Sequence, residues 1–124
     1  MAKSREGTYY TNFSPAVSNA AGRGMRQQSR RWNLHLRSEL SLEEISRITS
    51  PIIRGWINYY ARFYKSALYP TLRHLNDILV RWAMRKFKRL RGHLTKTVFW
   101  LGSIAKRQPS LFPHWQFGAR PTAG

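Results

Sequence analysis

Apolar positions along the chain recur at helical spacing in four places. Between Val17 and Arg37, Met25, Gln28, Trp32 and Leu36 share one face at i, i+3, i+7 and i+11, although Gly22 and Gly24 weaken the start. Ile45, Ile48 and Ile52 form the next stripe. Pro51 interrupts it, because its ring clashes one turn back and it offers no amide hydrogen. The pattern therefore predicts a short helix over 42–49 and a longer one from Pro51 to Tyr64. In that longer piece Ile52, Ile53, Trp56, Ile57, Tyr60, Phe63 and Tyr64 make a wide apolar face. Gly55 inside it costs about 1 kcal/mol relative to Ala and reads as a close approach to a neighbouring helix. A third stripe (Leu68, Leu72, Leu75, Leu79, Trp82 and Phe87) predicts a helix from Ser66 or Pro70 to Leu90. Thr95 or Thr97 would cap a last helix, with Val98, Leu101 and Ile104 aligned and Pro109 ending it. No segment alternates with period two. The fold class expected is all-α: three principal helices near 18–37, 51–65 and 68–90, plus a short additional C-terminal helix, with Trp56 and Trp82 in the core.

The sharpest local signal is the run SLEE at 41–44. The Ser41 hydroxyl can accept from the Glu44 amide while the Glu44 carboxylate reaches back to the Ser41 amide, a capping box. Acids in a first turn also suit the helix dipole. The only adjacent acid pair, Glu43 and Glu44, thus has a structural role that competes with any catalytic one.

At 124 residues the chain fits one domain. The organisation expected is a leader over 1–16, a helical domain over 17–115 and a tail over 116–124. An organellar transit peptide fits the Arg- and Ser-rich start, but Glu6 and the Tyr9–Tyr10 pair argue against it. Charge changes the picture most: 22 Lys+Arg face 5 Asp+Glu, a formal net charge of +17. The 42% hydrophobic content is too high for a disordered basic tail, so a folded polycation is expected, with nucleic acid its natural partner. No uncharged apolar run is long enough for a membrane span.

Several chemistries lack their residues. Without cysteine there are no disulfides, thiol nucleophiles or Cys-based zinc and iron–sulfur sites. The four histidines, His35, His74, His93 and His114, show no metal-ligand spacing. Two-metal phosphoryl transfer needs several convergent carboxylates, whereas no acid follows Asp77. No Walker-type glycine loop and no Ser/His/Asp set is present. The chain reads as a binding module that needs no cofactor. From Arg81 to Arg107 there are nine Lys/Arg and no acid. Such a one-sign stretch attracts phosphates and gains free energy from counterion release. The plainer alternative is a solubilising face. Arg81, Arg85, Lys88 and Arg89, at i, i+4, i+7 and i+8, would line one exposed side of the third helix. Exposed rings near these cations lean toward RNA, whose unpaired bases stack on them; charge alone leaves DNA open.

The segments SLEEI at 41–45, PIIRGWINYY at 51–60 and LVRWAMRKFKRL at 79–90 carry a resemblance. Their GWxNYY core and RWxxRKxKR run resemble the maturase-specific domain of bacterial group II intron reverse transcriptase/maturase proteins. The likeness extends from NFSPAVS at 12–18 through LFPHW at 111–115. The resemblance implies a thumb-like helical bundle that binds group II intron RNA and assists its splicing and mobility. The DNA target or a reverse-transcriptase palm domain are further partners, and the bacterial cytoplasm is the location. It puts RNA contacts on Arg54, Arg62, Arg81, Arg85, Lys86, Lys88, Arg89 and Arg91. Tyr59, Tyr60, Trp56 and Trp82 also match the family, the two tryptophans as core. The polymerase motif YxDD is absent, and a cysteine-free chain cannot supply the family's zinc-containing endonuclease. The expectation is a thumb and maturase portion alone, excised or from a truncated frame. The alternative from a different class is a general basic nucleic-acid-binding or ribosome-associated protein.

Overall fold

The computed structural model describes residues 15–121. Five helices follow in chain order: α1 (Pro15–Arg31), α2 (Leu42–Phe63), α3 (Lys65–Lys86), α4 (Leu94–Arg107) and α5 (Pro113–Phe117). Two 3₁₀ turns, Leu34–Leu36 and Lys88–Leu90, sit after α1 and α3. No strand occurs among the described residues, so the all-α bundle stands. Positions 1–14 of the expected leader and 122–124 of the expected tail lie outside the described residues.

α3 is the shared floor: α1, α2, α4 and both 3₁₀ turns pack on it. Its stripe is buried as expected, with Leu68, Leu72, Leu75, Leu79 and Trp82 all at 3% exposure or less. Trp56 is also in the core, stacked on half-buried Trp32 with ring centroids 5.6 Å apart. α2 starts as its sequence requires. Ser41 Oγ accepts from the Glu44 amide at 3.1 Å, and Glu44 Oε1 accepts from the Ser41 amide at 2.8 Å.

Four element boundaries depart from the sequence reading. First, Pro51 does not break the chain into two helices: α2 runs unbroken from Leu42 to Phe63 with Pro51 inside. Pro51 is exposed, so the unmated carbonyl of exposed Arg47 faces water, and burial of Ile45, Thr49, Ile53 and Trp56 on the opposite side outweighs the lost hydrogen bond. Second, α1 ends at Arg31, not Arg37, because Asn33 takes the left-handed conformation (φ 51°) and turns the chain. The face it buries holds Gly22, Met25 and Ser29, while Gln28 and Leu36 are exposed. Ser29 can be buried because its hydroxyl donates to the Met25 carbonyl at 2.9 Å. Third, α3 stops at Lys86 instead of Leu90. Phe87 turns extended so that its ring packs edge-on against Trp82 and Trp100 (5.9 and 5.4 Å), and the following turn buries Leu90. Fourth, neither Thr95 nor Thr97 caps α4; the cap position is His93, reached through Gly92 at φ +78°. Thr97 is buried within the helix, donating to the His93 carbonyl at 2.7 Å.

Gly55 also differs from its expected role. It is exposed, and a Cβ there would meet nothing within 4 Å. The close helix approach is at Gly22, whose added Cβ would stand 3.5 Å from the Ala67 Cβ.

The segment after Pro109 carries a buried polar knot. Asn76 of α3 presents Oδ1 to two ring nitrogens, Trp115 Nε1 at 2.9 Å and His114 Nε2 at 2.8 Å, while its Nδ2 donates to the Ala119 carbonyl at 3.1 Å. Since Oδ1 can only accept, His114 is the Nε2–H tautomer. Its Nδ1 is buried without a hydrogen-bond partner. Burial pushes the His114 pKa down to about 3. Burial, and next Arg30, also lower that of His74. The folded protein therefore holds a neutral His114 while the unfolded chain takes up a proton below the ordinary value of about 6.5. Stability from this group is complete above that value and falls as pH drops toward 3, at up to about 1.4 kcal/mol per pH unit. Urea midpoints should decline between pH 6.5 and 5, where carboxylates are still ionised. A flat profile there would contradict a neutral, buried His114.

Candidate nucleic-acid interface

The end of α3 gathers cations because of how it terminates. Arg81 and Arg85 leave its last two turns into solvent, and the 3₁₀ turn then exposes Lys88 and Arg89. Arg91 folds back, its Nη2 donating to the Arg85 carbonyl at 3.3 Å, so that a guanidinium caps the negative end of the helix. Arg81, Arg85 and Arg91 line one side of an open depression of about 390 Å³, with Met84 and Gly92 beside them. His35, contributed by the turn after α1, completes the rim.

The expected straight row of Arg81, Arg85, Lys88 and Arg89 is therefore corrected. The helix ends between the two pairs, and the cations wrap a corner of the molecule instead of tracking one helix face. His35 and Gly92 were missed; no spacing in the sequence connects residue 35 to residues 81–92.

Lys86 does a different job. Its Nζ donates to the Ser38 carbonyl at 2.7 Å and lies 5.8 Å from both the Trp82 and Phe87 ring centroids. It ties α3 to the loop before α2, as does Trp82 Nε1, which donates to the Arg37 carbonyl at 3.2 Å. These contacts also show that α3 returns alongside α2, bringing its last turn to the first turn of α2.

Two acids around the start of α2, Glu39 and Glu44, are occupied. Glu39 is held by Arg37 at 2.6 Å, and this hydrogen bond lowers its pKa. Glu44 is held low chiefly by the Ser41 amide in the capping box. The pair Glu43–Glu44 thus serves the helix start, and no group of three His, Asp or Glu able to hold a metal occurs among the described residues. No described helix is long and apolar enough to cross a membrane.

Arg54 and Arg62 do not join the corner. Both are exposed on the outer side of α2, about 18 and 30 Å along the axis from its first residue at 1.5 Å per residue. The Arg62 guanidinium carbon lies 6.0 Å from the Phe63 ring centroid. Tyr59, on the same outer side, is 64% exposed. The eight candidate positions thus form a corner group of six, one of them structural, and a separate pair on α2.

Fold and charge together define a small all-helical domain with a concentrated basic corner. The family model of the group II intron, maturase-specific domain matches residues 23–100, more than half of the chain. The chain belongs to that family, as its GWxNYY and RWxxRKxKR segments suggested. No curated protein and no solved structure matches it.

Proposed function

We propose that this chain binds group II intron RNA through the corner at the end of α3 and so assists intron splicing and mobility in the bacterial cytoplasm, contributing binding rather than catalysis. The observation that carries the reading is the convergence of exposed Arg81, Arg85 and Arg91 on one depression, with exposed Lys88 and Arg89 in the turn that joins them, in a chain with no acid after Asp77. Cations concentrated this way release counterions on meeting a phosphate backbone. Membership of the group II intron, maturase-specific family supports an intron as the RNA bound.

Arg85→Gln combined with Arg89→Gln should lower affinity for a folded group II intron. It should also reduce the slope of log K against log salt by about 1.4–1.8, or 0.7–0.9 per lost phosphate contact. Both side chains are exposed, so helix content should hold. Unchanged affinity and slope would move the surface elsewhere, first to the arginines of α1. Competition separates this reading from a general polycation: intron binding should survive excess tRNA or duplex DNA. Equal displacement by every polyanion would favour the general nucleic-acid-binding protein.

A further inference from the structure

Along α2, positions 48, 52, 55 and 59 fall in one line at i, i+4, i+7 and i+11, on a flank of the helix where Ile52 packs partly on the core and the other three are exposed. Ile48 is 52% exposed and Tyr59 64%, and half-buried Ile52 lies between them. Gly55, at the centre of the line, leaves the backbone bare with open space above it. A glycine in an exposed helix interior forfeits about as much stability as any residue except proline. Among the described residues, no neighbouring element uses the room it leaves. Beside this apolar line runs a second row, Arg47, Arg54, Asn58 and Arg62, all exposed. No acid occurs in α2 after Glu44.

We propose that the outer face of α2 is a second RNA site, in which an unpaired nucleotide stacks on Tyr59 over the bare backbone at Gly55. The adjoining phosphate would meet Arg62, one turn from Tyr59. This rests on the RNA-binding reading of the corner and adds to it a site for single-stranded RNA. Charge decides the occupant: an apolar line edged only by arginines and an amide suits a polyanion with flat apolar faces. Unpaired bases supply such faces, whereas paired bases in a helix keep theirs stacked on one another. The Tyr59 ring is already held in place. It packs edge-to-face on Tyr60 at 4.9 Å, and Tyr60 does the same on Tyr64 at 5.7 Å, so little side-chain freedom remains to be lost. Arg62 stands one turn beyond Tyr59, about 60° round the helix from it, whereas Arg54 is about 140° away on the other flank.

The test measures the full chain by fluorescence anisotropy with a labelled, unstructured 12-nucleotide RNA at several salt concentrations. Tyr59→Ala should weaken binding about five- to hundredfold, the range for one lost base stack, without changing the salt slope, because the ring carries no charge. Tyr59→Phe keeps the ring and should restore affinity. Gly55→Leu places a side chain where nothing stands within 4 Å, so thermal melting should not fall, yet RNA binding should weaken. If Tyr59→Ala and Gly55→Leu both bind as the native chain does, the proposal is overturned. If they change self-association in sedimentation and leave RNA binding intact, the face is a protein contact and the proposal is likewise overturned. Loss of binding in the Arg85/Arg89 variant alone would keep the corner and remove the α2 site. Failure of the native chain to bind any RNA would remove both.

Discussion

Replacing Trp82 with alanine is expected to remove about 3–5 kcal/mol of stability. The indole is 1% exposed, lies edge-on to Phe87 at 5.9 Å, and donates from Nε1 to the Arg37 carbonyl. Truncation therefore opens a large cavity and also frees the loop before α2. For a domain whose total stability is on the order of 5–15 kcal/mol, this brings the unfolded form within reach at room temperature. Trp82→Phe separates the two losses: most of the buried area stays, and the cost should fall to about 0.5–1.5 kcal/mol for one lost hydrogen bond, since the Arg37 carbonyl still accepts from the Leu40 amide at 3.1 Å. Trp56→Ala belongs at the low end of the 3–5 kcal/mol range, because Trp32 stacks on it and, being half-buried, can settle into part of the space. Urea unfolding followed by far-ultraviolet circular dichroism gives all three values. A Trp82→Ala midpoint within error of the native chain would contradict the packing described.

Asn76→Leu should be comparably severe for a different reason. Leucine keeps the branching at Cγ, with bulkier methyl groups, but leaves three buried groups without partners: His114 Nε2, Trp115 Nε1 and the Ala119 carbonyl. Each costs about 1–3 kcal/mol when orphaned, so a total of about 3–9 kcal/mol is expected. The damage should centre on α5, whose docking depends on this residue. Near-ultraviolet circular dichroism would lose the contribution of buried Trp115 well before the helical signal changes. A variant melting within a few degrees of the native chain would mean that the knot is dispensable.

The existence of the long helices was legible because their stripes are long and regular, and the capping box named its own start. The boundaries were less so. Pro51 has a local cost that any sequence reading must register, and packing on the far side of α2 overrides it. The ends of α1 and α3 are set by Asn33 and Phe87, whose turns are rewarded by contacts with residues far away in sequence: Trp32 meets Trp56, and Phe87 meets Trp100. The polar knot was invisible for the same reason. Asn76 on a helix reads as a surface residue, and only the fold reveals His114, Trp115 and Ala119 gathered around it. Of the interface, the cations themselves were plain in the sequence. Which of them converge was not, since that depends on α3 stopping at Lys86 and on His35 arriving from another turn.

Because α1, α2, α4 and both 3₁₀ turns pack on α3 and leave little but the stripe through Arg73, Asp77, Arg81 and Arg85 exposed, it has little room to bend or slide. Its last turn is further pinned to the preceding loop by Lys86 and Trp82, from residues 48 and 45 positions away in the chain. The backbone carrying Arg81 and Arg85 is therefore set before any polyanion arrives. Docking then has to order only the outer torsions of long side chains, at about 0.5–1.5 kcal/mol each, and no segment must fold on contact. A basic tail of the same charge would have to order its backbone as well, at about 1–2 kcal/mol for every residue fixed. The pinned end of one helix thus gives this small protein a rigid cationic edge, whose affinity is set by how many phosphates it reaches.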